Sequence, residues 1–151
     1  MKISVCHRIL LMFAAASIVT TASAVEPEFY PRAPTGNTSP PFSEAVRVGD
    51  MLYLSGELGV DASGKIVAGG IKAEAKQLMD NIGANLARHH SSFDRVVQCQ
   101  VALADIADWP AFNEVYKPYF NKHFPARMAY AASGLALGGK VEVQCNAVVA
   151  P

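Results

Sequence analysis

A surplus of charge of either sign is missing from this chain. Lys and Arg together number 13 and so do Asp and Glu, for a formal charge of zero. Nucleic-acid binders ordinarily carry a basic face, so the balance argues against that class. Cysteine is scarce: three in 151 residues, too few for a disulfide scaffold and in no metal-ligand spacing. Several catalytic signatures are absent too. No glycine-rich phosphate loop, G-x-S-x-G, H-E-x-x-H or C-x-x-C occurs. The length leaves no room for a two-domain cofactor enzyme. Hydrophobic residues at 51% and charged ones at 17% fit a packed domain and exclude a disordered chain.

What is present begins with an export pattern in residues 1–24. Lys2 and Arg8 supply a positive start, Ile9 to Val19 an apolar run, and Ala22-Ser23-Ala24 a small-residue cleavage pattern. The run has 11 residues, whereas a membrane span needs roughly 20. Cleavage after Ala24 and a periplasmic or secreted product are expected, with no membrane association afterwards. Cys6 precedes the apolar run, the wrong place for a lipid-modified cysteine. Lys2 and Arg8 leave with this segment, so 11 basic and 13 acidic residues remain, a formal charge of −2. Cys99 and Cys145 would then face an oxidising compartment.

Residues 25–40 are read as an extended arm, because Pro27, Pro31, Pro34 and Pro40 exclude helix and central strand. Asn37-Thr38-Ser39 fits a glycosylation sequon, relevant only in a eukaryotic secretory pathway. Residues 41–151 form the expected domain. Glu44 to Val48 and Met51 to Ser55 read as strands around a Gly49-Asp50 turn, and Lys65 to Val67 as a third. Ile71, Ala75, Leu78, Met79, Ile82 and Leu86 recur at helical steps and predict a helix over 71–90. His89-His90 close it. Neighbours on a helix point apart, so favourable placement of cations at the C-terminus explains them better than a metal pair.

Arg95 to Ala104 alternates as a strand, with Val97, Cys99, Val101 and Leu103 on one face and Val96, Gln98, Gln100 and Ala102 on the other. A second helix follows, capped by Asp108 with Pro110 in its first turn. Phe112, Val115, Tyr116, Tyr119 and Phe120 form its apolar stripe, and Pro118 bends it or ends it early. The last strands are 126–132 and 140–149, joined by a loop with Gly134, Gly138 and Gly139. The order is β-β-β-α-β-α-β-β, an α+β layer with two helices on one face of a single mixed sheet. The other face carries Gln98, Gln100, Glu142, Gln144 and Asn146, and a self-associating surface is inferred there.

The chemistry-bearing candidates are few. Cys99 or Cys145 could pair with His123 as a nucleophile, although apolar strand faces favour buried thiols. Arg127 starts a strand behind Pro125, and a guanidinium fixed in this way offers a planar fork of donors to a carboxylate. Glu142 stands on the polar face of the last strand. Each alone also reads as a surface charge.

Phe124-Pro125-Ala126-Arg127 followed by Lys140-Val141-Glu142-Val143 resembles the end of the Rid family, the reactive intermediate deaminases, also called YjgF-type or L-PSP endoribonuclease proteins. Gly49 to Gly56, Met79-Asp80-Asn81-Ile82 and Phe112-Asn113-Glu114-Val115-Tyr116 resemble further stretches of it, so the likeness runs from about Pro41 to Ala150. The resemblance implies a chorismate-mutase-like fold, a homotrimer with active sites between subunits, and no metal or organic cofactor. It implies hydrolysis of enamine and imine acids such as 2-aminoacrylate to 2-oxo acids and ammonia. Arg127 matches the arginine that holds the substrate carboxylate and Glu142 the carboxylate that orients water. Phe42, Ser55, Gly56, Asn113 and Ala129 match pocket positions. Phe42 stands for a common tyrosine, Ala129 for a common cysteine, and Glu57 for a common glutamine, while the 138–139 loop lacks the usual proline. The family fold also sets the strands of Cys99 and Cys145 side by side, which leaves a disulfide and two buried thiols both open. Two other functions share the scaffold: a non-catalytic binder of small carboxylates and, against the charge, a ribonuclease.

Overall fold

The computed structural model describes residues 24–34 and 38–150. The expected export segment, apart from Ala24, and Asn37 of the sequon lie outside them. Gly49, at φ 60°, makes the turn that joins β2 (Ser43–Val48) to β3 (Met51–Leu54). A left-handed residue there suits the right-handed twist of a hairpin and favours glycine. The sheet runs β1-β2-β3-β7-β5-β6, with β1 at Glu28–Pro31, β5 at Val96–Leu103, β6 at Ala126–Ala131 and β7 at Val141–Val148. Only β5 and β6 are parallel, so the sheet is mixed as expected. Part of the proline-rich arm is thus an edge strand, β1, paired with β2.

Two readings of strands need correction. The third strand is β4, Glu57–Leu58, not Lys65–Val67. Asp61 Oδ1 accepts from the Ser63 and Lys65 backbone N–H groups, and this tight turn leaves only a single bridge between Val60 and Ile66. In β5 the alternation fails at its first step. A register shift between Val96 and Gln98 buries Val96 and exposes Val97; a bulge inserts one residue and flips the faces behind it.

Helix α1, Gly70–Arg88, covers one sheet face, and its stripe of Ala75, Leu78, Met79, Ile82 and Leu86 is fully buried. Each large side chain of that stripe contributes about 1.5–3 kcal/mol of burial. Helix α2, Trp109–Tyr116, passes into a short 3₁₀ turn over Lys117–Tyr119, so Pro118 does end it early. Asp108 occupies the N-cap position but makes no side-chain cap; Asp105 does the capping one turn earlier, accepting from Ala107 N–H at 2.9 Å. The Asp108 carboxylate instead faces Lys140 at 3.9 Å.

Strand β7 alternates without fault: Val141, Val143, Cys145 and Ala147 are buried under the helices, and Glu142, Gln144 and Asn146 lie on the open face. Cys99 and Cys145 are register partners, their Cα atoms are 4.1 Å apart, and their sulfurs are bonded. No helix among the described residues is long and apolar enough to cross a membrane.

Candidate active site

Arg127, the second residue of β6, enters on the helix-covered side, level with Cys99. Its guanidinium carbon lies 4.8 Å from the Trp109 ring centroid and 4.6 Å from that of Tyr116. Nη1 donates to Asn113 Oδ1 at 2.8 Å. Trp109, Asn113 and Tyr116 follow one another at steps of four and three, which puts them on one face of α2. Two rings hold the cation by its faces and one amide orients its edge. Among the described residues no carboxylate pairs with it. The cleft beside it, about 330 Å³, is lined by Asn113, Tyr116, Lys117, Phe124, Pro125 and Arg127. Ala129, two residues along β6, shares the face of Arg127 and packs on the core.

Glu142 occupies the other side of the same sheet. Its register partner on β5 is Ala102, and it lines a hollow with Gln100, Tyr130 and Gln144. It also lines a larger cleft of about 460 Å³ that contains Phe42, Gly56, Arg32 and Leu137. Strands β3 and β4 lie end to end along β7, and Ser55-Gly56 is the break between them. A Cβ on Gly56 would overlap the Glu142 carboxyl, so glycine here is what lets the carboxylate lie against the backbone. Ser55 lines neither cleft: its Oγ donates to Ser43 C=O at 2.6 Å. Leu137 takes a left-handed backbone, φ 57°, and stands exposed at the rim.

The predicted residues therefore form two groups. Arg127, Asn113 and Ala129 gather beneath α2, while Phe42, Gly56 and Glu142 gather on the open face. Within one chain the sheet separates them. Tyr116, read from sequence as core, and Trp109 belong to the first group; the 109-113-116 spacing was the signal. Arg32 joins the second group from the irregular arm, where no periodicity could mark it. The cysteine–histidine nucleophile does not form, because both thiols are spent in the disulfide. His89 and His90 diverge as expected: His89 is buried, 3.1 Å from Glu44 Oε1 and stacked on Tyr30, while His90 is exposed. Among the described residues no three or more metal-ligating side chains gather.

Burial pushes the Tyr116 phenol up to about 12, although Arg127 pulls it the other way. It is therefore a neutral hydroxyl, able to donate, across the physiological range.

Comparison with known proteins shows the family of the chain. Residues 33–149 match the family described as Endoribonuclease L-PSP. A 2-iminobutanoate/2-iminopropanoate deaminase of Capra hircus is 49% identical over 112 residues, 74% of this chain and 82% of that one. The chloroplastic Reactive Intermediate Deaminase A of Arabidopsis thaliana is 32% identical over 135 residues, 89% of this chain and 72% of that one. The crystal structure of RidA from an Antarctic Psychrobacter species superposes with a TM-score of 0.70 at 32% identity, covering 85% of this chain and all of that one. The chain belongs to the Rid family, whose family-wide description is Endoribonuclease L-PSP.

Proposed function

We propose that this protein hydrolyses 2-imino acids and their enamine tautomers to 2-oxo acids and ammonia. The carrying observation is an arginine held by two aromatic rings with no carboxylate of its own, in a chain 49% identical to a 2-iminobutanoate/2-iminopropanoate deaminase. Arg127 takes the substrate carboxylate in its fork. Water adds to C2, forming the C–O bond. Glu142 takes a proton from that water and returns it to nitrogen, giving a carbinolamine. The carbinol O–H proton then passes by way of Glu142 to nitrogen as the C–N bond breaks, so that C=O forms and ammonia leaves. The imine is already electrophilic, so positioning and general-base help are the contributions required of the protein. Phe42, Gly56, Asn113 and Ala129 shape the pocket, with Ser55 holding its edge through Ser43.

Because Arg127 and Glu142 lie on opposite sides of one sheet, a complete site takes Arg127 from one copy and Glu142 from the next. A homotrimer in which the open sheet face of one copy meets the β6 edge of the next meets that need, because β6, which carries Arg127, is an edge strand. Exposed Tyr53, Met128 and Tyr130 among the polar residues there support it. Light scattering tests it: a monomer at micromolar concentration would refute the shared site. Export, with cleavage after Ala24, is supported by the Cys99–Cys145 bond, since disulfides are rare in reducing compartments. N-terminal sequencing of the native protein should begin at Val25.

The deciding assay couples the protein to an amino acid oxidase and follows 2-oxo acid release from the imino acid. Acceleration over the spontaneous rate is expected. If none occurs with any imino acid while 2-oxo acids still bind, the protein is a carboxylate binder. Ribonuclease action gains no support from a formal charge of zero.

A further inference from the structure

Among the buried side-chain polar atoms of the described residues, one lacks a partner: the Tyr116 hydroxyl. The residue is 2% exposed. Leaving a buried donor unmet is costly, so native proteins rarely do it without reason. Its surroundings explain why the chain itself cannot satisfy it. The rings of Phe112 and Phe120 pack at 5.4 and 4.6 Å and offer no acceptor. Arg127, whose guanidinium carbon lies 4.6 Å from the Tyr116 ring centroid, has donors only, so it can approach the phenol oxygen but gives the O–H proton no acceptor. Asn113 Oδ1 accepts from the same guanidinium and makes no bond to the Tyr116 hydroxyl. Tyr116 nevertheless lines the cleft of Arg127, together with Asn113 and Lys117.

We infer that Tyr116 is a substrate-contacting residue whose hydroxyl donates a hydrogen bond to the carboxylate held by Arg127. This rests on the carboxylate-binding role proposed for Arg127. The cleft then presents a cation, a neutral O–H donor, the Asn113 amide Nδ2 and the Lys117 ammonium. That set of donors calls for a ligand group made only of acceptors. A carboxylate meets that need; a primary amide or an ester does not, because each loses the negative charge and the amide adds donors of its own. Burial keeps the phenol protonated across the physiological range, which preserves its donor character there. Tyr116 is thereby a specificity-determining residue for acids over their neutral derivatives, and the ring does a second task as one wall of the arginine cage.

Tyr116→Phe keeps the ring, the cage and the packing and removes only the hydroxyl. Titration calorimetry with 2-oxobutanoate on the whole oligomer reads binding without any need for turnover. The Kd should rise about tenfold, the effect of one hydrogen bond to a charged group, while Tm stays equal or increases because a buried unmet donor is gone. A Kd within twofold of the wild type would mean that the hydroxyl makes no contact with the ligand, and would overturn the inference. A crystal structure of the wild type with 2-oxobutanoate gives an answer that does not depend on the variant's folding. Tyr116 Oη within hydrogen-bond reach of a carboxylate oxygen supports the role, and an intervening water or a ligand bound elsewhere refutes it. Should the wild type bind 2-oxobutanoate yet fail to hydrolyse imines, the deaminase reading falls and the Tyr116 inference stands on its own result.

Discussion

Arg32 and Arg127 are both partly buried, and their partners could hardly differ more. Arg32 reaches from the arm to Glu57, a carboxylate 2% exposed, and donates to both of its oxygens at 2.9 and 3.1 Å. Asn85 adds a third bond to the same carboxylate at 2.6 Å. Glu44 nearby is shared by Arg88 and His89. Although this cluster lines a cleft of about 410 Å³, its charges are spent on one another. Arg127 has rings and an amide around it and no anion. A charge that the fold already neutralises holds the fold together, and one that the fold has stabilised without neutralising is available to a ligand. Cleft size does not distinguish the two regions; the partners do.

The sharpest way to break that comparison is to change the unpaired groups. Glu142→Gln should lower turnover by about 10²–10⁴-fold, the usual worth of a general base, and leave Kd for 2-oxobutanoate nearly unchanged. Arg127→Lys keeps the charge but loses the planar fork and the ring stacking. It should raise Kd and KM together, since the carboxylate contact exists before and during reaction. Steady-state kinetics beside calorimetry separate the two. Unchanged imine hydrolysis in Glu142→Gln would remove its water-activating role.

Much of this was legible in the sequence, for definable reasons. Period-2 and period-3.6 patterns locate β7 and α1 because each buries one face and wets the other. Patterns cannot see what a bulge does, and Val96 and Val97 exchanged faces for that reason. Nor can they show that Lys65 to Val67 follows a turn too tight to extend a strand. Arg127 and Glu142 were found through motifs that resemble a family. Their separation by the sheet follows from register, which a sequence does not display. Glu57 appeared only as a departure from a common glutamine; its partner, 25 residues earlier in an arm without periodicity, emerged only from the fold.

The disulfide tests the floor beneath Arg127, whose register partner on β5 is Cys99. Cys99 and Cys145 are 46 residues apart, and closing a loop of that size is worth about 4 kcal/mol in the chain-entropy account, often less in practice. Replacing both by Ala should lower the urea midpoint accordingly and spare Kd, provided the cage survives. Intact mass under non-reducing conditions should show the oxidised form, two hydrogens lighter than the dithiol.

Arg32→Ala carries the opposite signature to Arg127→Lys: a loss of about 3 kcal/mol in stability, because the Glu57 carboxylate is left buried without its cation, with Kd for 2-oxobutanoate held within a few-fold. Adding Glu57→Gln should recover part of that loss, since the amide can still accept from Asn85 and brings no charge to bury. Chemical denaturation of the four proteins in the cycle measures the coupling. A double variant no more stable than Arg32→Ala alone would show that the arm is held by β1 pairing and not by this pair.

The smallest effect belongs to Glu44, on the margin of the paired cluster. Burial raises its pKa, but Arg88 and His89 outweigh burial and hold it below the ordinary glutamate value of 4.5. A carboxylate depressed in the folded state binds its proton more readily when unfolded. Its contribution is therefore complete above pH 4.5 and lost as pH falls through the lower, folded value. Arg88 is 55% exposed, so solvent screens the pair and the contribution is under about 1 kcal/mol. Glu44→Gln should accordingly flatten the decline of stability below pH 4.5 and change little at neutral pH, whereas Arg127→Lys should leave that acid limb as it is. A Glu44→Gln profile that runs parallel to the wild type through the acid limb would remove Glu44 from the network of paired charges and leave Glu57 as its centre.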